Sequence, residues 1–309
     1  MASICVGSAI LHAKPGRDMR RSRNSQKMAS CTWIFVSFIT GGNLFAQSGE
    51  QIINSIGMQL NRVPAGTYKM GSVRGNPDAD LDESQHEVTI TRDFFLGAYE
   101  VTQSQYEKVM GKNPSQFKRE ADGSKASDYP VEQVSWEDAK DFCDKLSQFP
   151  EEQLAGRVYR LPTEAEWEMG CRAGTQTAFS FGNEVSKLAD HGWYEANSEG
   201  RTHKVGMKKP NLLGLHDMHG NVWEWVADWY IEHRVEPVTD PQGPVLGTDR
   251  VYRGGSWNYG PGYLRSANRT ATRSNFRGFE FLSIGFRVAL SPEEDLPEEG
   301  KSRPKDRIR

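Results

Sequence analysis

Apolar residues recur at helical spacing in three short stretches, and each is preceded by residues able to cap a helix. Thr102-Gln-Ser-Gln105 offers a capping box ahead of Tyr106-Glu-Lys-Val-Met, with Gly111 as a stop. Ser135-Trp-Glu-Asp138 opens a second helix whose Ala139, Phe142, Cys143 and Leu146 share one face. Thr163-Glu-Ala-Glu166 opens a third, through Trp167 and Met169 to Cys171, stopped at Gly174. In each box the capping side chain satisfies backbone N–H groups that a first helical turn leaves unpaired. Alternation with period two marks strands at Val88–Thr91, Arg157–Leu161, Val222–Val226, Val251–Arg253 and Phe286–Leu290. Most of the remainder reads as loop. The pattern predicts an α+β domain with a small antiparallel sheet, few helices and much irregular loop.

Composition agrees: 30 Gly and 15 Pro beside 8 Trp favour turns pinned by large rings over long helices. A net charge of −3 gives no electrostatic case for a nucleic-acid partner, and no zinc-finger, phosphate-loop or dinucleotide fingerprint occurs. The N-terminus has its own pattern. Arg17, Arg20, Arg21, Arg23 and Lys27 precede the apolar run Cys31–Thr40 and a small residue at Ala46, the order of a signal peptide over residues 1–46, with Met28 as an alternative start. The apolar part is too short to span a bilayer, so the chain is expected to be secreted or periplasmic and not membrane-spanning. Residues 47–55 read as a linker, 56–290 as one folded domain, and 291–309 as a disordered tail. Cys5 and Cys31 fall in the leader; Cys143 and Cys171 have neither C-x-x-C nor zinc-site spacing.

A distinctive series of motifs runs along the chain. Pro64-Ala-Gly-Thr-Tyr-Lys-Met-Gly-Ser is followed by Glu100-Val-Thr-Gln-Ser-Gln-Tyr and Pro130-Val-Glu-Gln-Val-Ser-Trp-Glu-Asp-Ala. Then come Arg160-Leu-Pro-Thr-Glu-Ala-Glu-Trp-Glu, Gly214-Leu-His-Asp-Met-His-Gly-Asn-Val-Trp-Glu-Trp, Arg253-Gly-Gly-Ser-Trp and Gly285-Phe-Arg-Val. In this order they resemble the formylglycine-generating enzyme (sulfatase-modifying factor) family, from about Ile56 to Leu290. The resemblance implies a single C-type-lectin-like domain and bound calcium. Mapped by motif, the metal ligands would be the Asp217 side chain, the Gly220 and Val222 carbonyls and the Glu224 side chain. These are hard oxygen donors, as Ca²⁺ requires. On a strand, Val222, Glu224 and Val226 would share one face and Trp223 and Trp225 the other. The plainer reading is a glutamate hydrogen-bonded into a turn above a tryptophan core. A further calcium site of the family involves residues near Asn197 and Ser198, where this chain is shorter.

The resemblance also defines what is missing. Competent members carry a thiol pair that binds copper(I) and, with O₂, oxidises a sulfatase cysteine to formylglycine. The matching positions here are Tyr259 and Leu264, neither a soft ligand of the kind Cu(I) needs, so no catalytic residue and no copper are expected. Cysteines matching Cys143 and Cys171 form disulfides in better-known members, with partners at positions occupied here by Thr270 and Val288. The two read as small buried hydrophobes, with a mutual disulfide as the alternative.

Arg265, Arg269, Arg273 and Arg277 recur every four residues among Tyr252, Trp257, Tyr259, Tyr263, Phe276, Phe279 and Phe281. Trp257, Tyr259, Arg265, Arg269 and Arg273 would line a ligand groove, since guanidinium forks and aromatic faces suit a peptide, protein or glycan. Alternatively the arginines hold loops together through buried hydrogen bonds. The functions in play are an exported, calcium-stabilised, non-catalytic binding module, a formylglycine-generating oxidase, and an oxygen-dependent enzyme of altered chemistry.

Overall fold

The computed structural model describes residues 50–291 except 74, 78, 121, 233–234 and 279–282. The leader, Phe279, Phe281 and the tail beyond Ser291 lie outside the described residues. Among those described, no helix is long and apolar enough to cross a membrane.

The strands are β1 (Gln51–Ile53), β2 (Gln59–Val63), β3 (Gly66–Met70), β4 (His86–Ile90), β5 (Phe94–Gly97), β6 (Tyr159–Arg160), β7 (Trp223–Trp229), β8 (Val238–Thr239), β9 (Asp249–Arg253), β10 (Arg269–Arg273), β11 (Ile284–Phe286) and β12 (Ala289–Leu290). The helices are α1 (Gln103–Met110), α2 (Trp136–Ser147), α3 (Pro150–Leu154), α4 (Glu164–Arg172) and α5 (Leu188–His191). The three capping boxes open α1, α2 and α4. Gly111 ends α1 in the left-handed conformation, and α4 stops at Arg172, followed by left-handed Ala173. The element α3 has no side-chain cap, and its one start signal is Pro150 at the first position.

The expected single antiparallel sheet resolves into three small ones. Their orders are β1-β2-β5-β12-β6, β10-β9-β7-β11 and β3-β4-β8. Among the described strands two pairings are parallel, β7 with β11 and β4 with β8. The apolar run Phe286–Leu290 is split between two sheets, with Arg287 at the break. Folding starts earlier than Ile56, because Gln51–Ile53 pairs with β2 inside the expected linker.

Strand β7 is the hub. Trp223 and Trp225 enter one core cluster with Tyr106, Phe142 and Phe286, whereas Val226 enters another with Trp167, Met169 and Cys171. Both faces of β7 are therefore covered, and α4 beside it is buried at every residue. Alternation placed the side chains on opposite faces, and along β7 only Ala227 and Trp229 are partly exposed. The architecture is a mixed α/β, C-type-lectin-like fold in which paired loops, more than regular elements, carry the polar residues inward.

Candidate functional site

The loop entering β7 has an unusual backbone. Asp217, Gly220 and Asn221 have φ of 58°, 126° and 64°, and for non-glycine residues this left-handed region persists only when the surroundings impose it. At Gly220 a Cβ would lie 2.1 Å from the Trp193 carbonyl oxygen, so only glycine fits there. The turn brings three buried carboxylates together. Glu224 accepts from Arg287 Nε and Nη2, each at 2.6 Å, and from Trp167 Nε1 at 2.8 Å. Asp217 accepts from the Gly206 N–H at 2.7 Å through Oδ2, while its buried Oδ1 has no hydrogen-bond donor among the described residues. Glu100 accepts from the Val222 N–H at 3.1 Å and from Asn221 Nδ2 at 2.7 Å.

Burial first, and then the charges of Asp217 and Glu224, push the Glu100 carboxyl well above the usual carboxylate range. Burial, aided by Glu224, pushes Asp217 up to about 6, against the opposing pull of the Gly206 N–H, Arg287 and Lys208. The site is thus short of positive charge: three buried carboxylates face one buried guanidinium. Lys208 is nearby, but its ammonium donates to the Ala189 carbonyl and sits over Trp193. An orphaned carboxylate oxygen and a set of hard oxygens fit a calcium ion. Glu224 receives three donors on a group with about four acceptor sites, which leaves one on Oε1. Among the described residues no three His, Cys, Asp or Glu side chains form a metal cage, so a cation here would depend on main-chain oxygens as well.

The second region is the loop after Gly254-Gly255. Trp257 is buried, donates through Nε1 to Ser283 Oγ at 2.8 Å and meets Phe117 edge-on with centroids 5.6 Å apart. Tyr259 packs edge-on against Trp223 at 5.3 Å and Tyr263 at 5.0 Å, and Tyr263 is half exposed. Leu264 is fully buried, and a Cβ on Gly255 would lie 2.7 Å from its Cδ1. Tyr259 is therefore a half-buried aromatic contact and Leu264 a core contact. Cys143 and Cys171 are free, buried and in separate core clusters. Burial pushes the Cys171 thiol up to about 12 and the Cys143 thiol higher still, so neither offers a thiolate.

The arginine repeat divides. Arg265 grips Glu83 with both arms at 2.6 and 2.8 Å, and Arg269 grips Glu164 at 2.8 and 2.7 Å. Both guanidiniums are buried, so these two members of the expected groove hold loops instead of facing a ligand. Arg273 is exposed at the end of β10, and Arg277 pairs with Asp138 at the start of α2. Arg253, on β9, binds Glu164 and Glu168 together. The sequence reading missed these acidic partners; the one available signal was Glu164 and Glu168 spaced i, i+4 on one helix. A cavity of about 690 Å³ shares no residue with either region, and two of its cations, Lys140 and Arg160, are paired to Asp144 and Glu166.

Residues 53–292 match the model of the sulfatase-modifying factor enzyme 1-like domain. The chain is 30% identical over 285 residues to the formylglycine-generating enzyme of Mus musculus, covering 74% of this chain and 73% of that protein. It is 32% identical over 271 residues to the chaperone protein LppX of Paenibacillus barcinonensis, covering 73% and 86%. Among solved structures, variable protein 1 of Treponema denticola superposes with a TM-score of 0.68 at 30% identity, over 79% of this chain and 99% of that one. With its turn, its aromatic loop and its buried arginines in place, the chain belongs to the sulfatase-modifying factor (formylglycine-generating enzyme-like) family.

Proposed function

We propose that this protein is an exported, non-catalytic binding module, stabilised by calcium, that takes a peptide, protein or glycan at the surface around Trp257, Tyr259 and Tyr263. The observation that carries the reading is the packing of Tyr259 and Leu264: each fills space with hydrocarbon or an aromatic ring where copper chemistry requires a thiolate. Relatives named for a chaperone and for a variable protein show the family scaffold under names other than an oxidase. Calcium would be held by the Asp217 and Glu224 side chains with the Gly220 and Val222 carbonyls, and it would supply the positive charge that the three buried carboxylates lack. The chain's own residues contribute the rest: Arg287 fixes Glu224, Gly206 fixes Asp217, and Trp223 supports Tyr259.

The direct test is incubation of the purified protein with a Cys-x-Pro-x-Arg peptide, copper and O₂, with aldehyde read by mass spectrometry, beside a peptide and glycan array in calcium buffer. No aldehyde and at least one saturable ligand are expected. Aldehyde formation would overturn the non-catalytic reading, and an array without binders would overturn the binding reading.

A further inference from the structure

We propose that Glu100 is a positioning residue of the cation site, and that through one peptide unit it couples cation binding to Trp257 in the adjacent loop. The proposal rests on the calcium reading above. Glu100 is 1% exposed and reaches the turn from 121 residues away in sequence. Each of its oxygens already accepts a hydrogen bond from the turn, so Glu100 acts by holding the backbone and not as an added ligand.

What it holds is a single amide plane. The Val222 N–H donates to Glu100 Oε1 at 3.1 Å, and the carbonyl of the same peptide, that of Asn221, accepts from the Trp257 N–H at 3.0 Å. Glu100, the Asn221–Val222 peptide and Trp257 therefore form one hydrogen-bonded line, in which each bond polarises the next. On either side of that peptide lie the Gly220 and Val222 carbonyls. The Asn221 side chain is clamped as well: Nδ2 donates to Glu100, and Oδ1 accepts from the His203 N–H at 3.0 Å. Asn221 is a non-glycine residue at φ 64°, a conformation costing on the order of 1–3 kcal/mol that needs such clamping to persist. A peptide rotated out of this orientation would turn carbonyls away from the cation and break the bond to Trp257 in one movement. Cation binding and the order of the Trp257 loop are thus two readings of one conformation.

The test uses the full chain. Calcium affinity is measured by titration calorimetry, and amide exchange of the segment containing Trp257 is followed in calcium and in chelator. For the unaltered protein, calcium is expected to slow Trp257 exchange at least tenfold. Glu100→Gln is expected to weaken calcium binding by roughly 10- to 100-fold, the usual cost of losing a partner that orients metal ligands. It should also bring Trp257 exchange in calcium to the chelator level. A merely structural role would lower thermal stability equally with and without calcium and leave the affinity unchanged. Glu132→Gln, which removes another fully buried carboxylate, serves as the control and should keep the affinity. Should Glu100→Gln fail to fold, Asn221→Ser removes the Nδ2 donor and carries the same comparison. If the unaltered protein shows no calcium binding, the calcium reading falls. If it binds and Glu100→Gln binds equally well, or if calcium leaves Trp257 exchange unchanged, the Glu100 proposal falls alone.

Discussion

Two buried ionic regions both touch α4, and they solve opposite problems. Around β9 and β10, Arg253, Arg265 and Arg269 meet Glu83, Glu164 and Glu168, each carboxylate gripped by at least one guanidinium. Glu83 shows the result: burial raises its carboxyl, but the Arg265 fork and the Ser72 hydroxyl outweigh it and hold the group below its ordinary range. Around the turn entering β7, Glu100, Asp217 and Glu224 have Arg287 as their one buried guanidinium, and burial with neighbouring negative charge raises Glu100 and Asp217. The first region pairs every carboxylate with a guanidinium and closes loops. The second is left with excess negative charge and an orphaned oxygen, which is the condition that recruits a cation.

The largest way to break this contrast is Arg253→Met. Arg253 is fully buried, and removing it strips Glu168 and Glu164 of a shared partner while their charges stay inside. A loss of about 3–5 kcal/mol is expected from denaturant melts, because two buried carboxylates lose a guanidinium and keep Arg269 and Arg172 between them. The loss should be the same in calcium and in chelator. A calcium-dependent loss would mean that the two regions are one network, and a loss under about 1 kcal/mol would mean that the arginines are not needed to close the loops.

This division could not be read from the chain beforehand, and the reason is distance. Capping boxes are contained within four residues, so Thr102, Ser135 and Thr163 announced their helices. The Asp217–Glu224 turn is likewise local, and its carboxylates were visible as a set. Arg265 and Glu83 are 182 residues apart, and Glu100 and Asn221 are 121 apart, so nothing local distinguishes an arginine that faces a ligand from one that grips a buried glutamate. The split of Phe286–Leu290 has the same origin. Alternation predicts one strand, but Arg287 leaves the ladder to reach Glu224, and the chain resumes in another sheet.

Glu132 sharpens the comparison as a carboxyl with neither an arginine nor a place in the acidic turn. It is fully buried, accepts the Gln116 and Phe117 N–H groups at 2.6 and 2.9 Å through one oxygen, and leaves the other without a donor. Burial pushes it up to about 7, against the pull of those two N–H groups and Lys118. A carboxyl raised on folding favours the folded state in its protonated form. Its contribution is fully present below the unfolded value of about 4.3 and is lost as pH rises through about 7. Glu132→Gln is therefore expected to remove a decline on the order of 2 kcal/mol between pH 5 and pH 8. The measurement is a pair of denaturant melts at those two pH values. Parallel pH profiles for the two proteins would show that the lone carboxyl costs nothing when ionised.

The smallest effect is expected from an ion pair that both regions make look important by analogy. Lys140 and Asp144 sit i, i+4 on α2, with side chains 52% and 50% exposed. Water already solvates both charges, so their attraction is screened and is opposed by the entropy of holding two flexible side chains together. Lys140→Ala should change stability by less than about 0.5 kcal/mol, and the change should shrink further in 1 M salt. Arg253→Met, whose charges are shielded from solvent ions, should keep most of its effect in the same salt. Melts of both variants at low and high salt separate burial from mere proximity. A salt-insensitive loss of 2 kcal/mol or more for Lys140→Ala would mean that contact geometry, not exclusion of water, sets the worth of these pairs, and the contrast between the two buried regions would lose its physical basis.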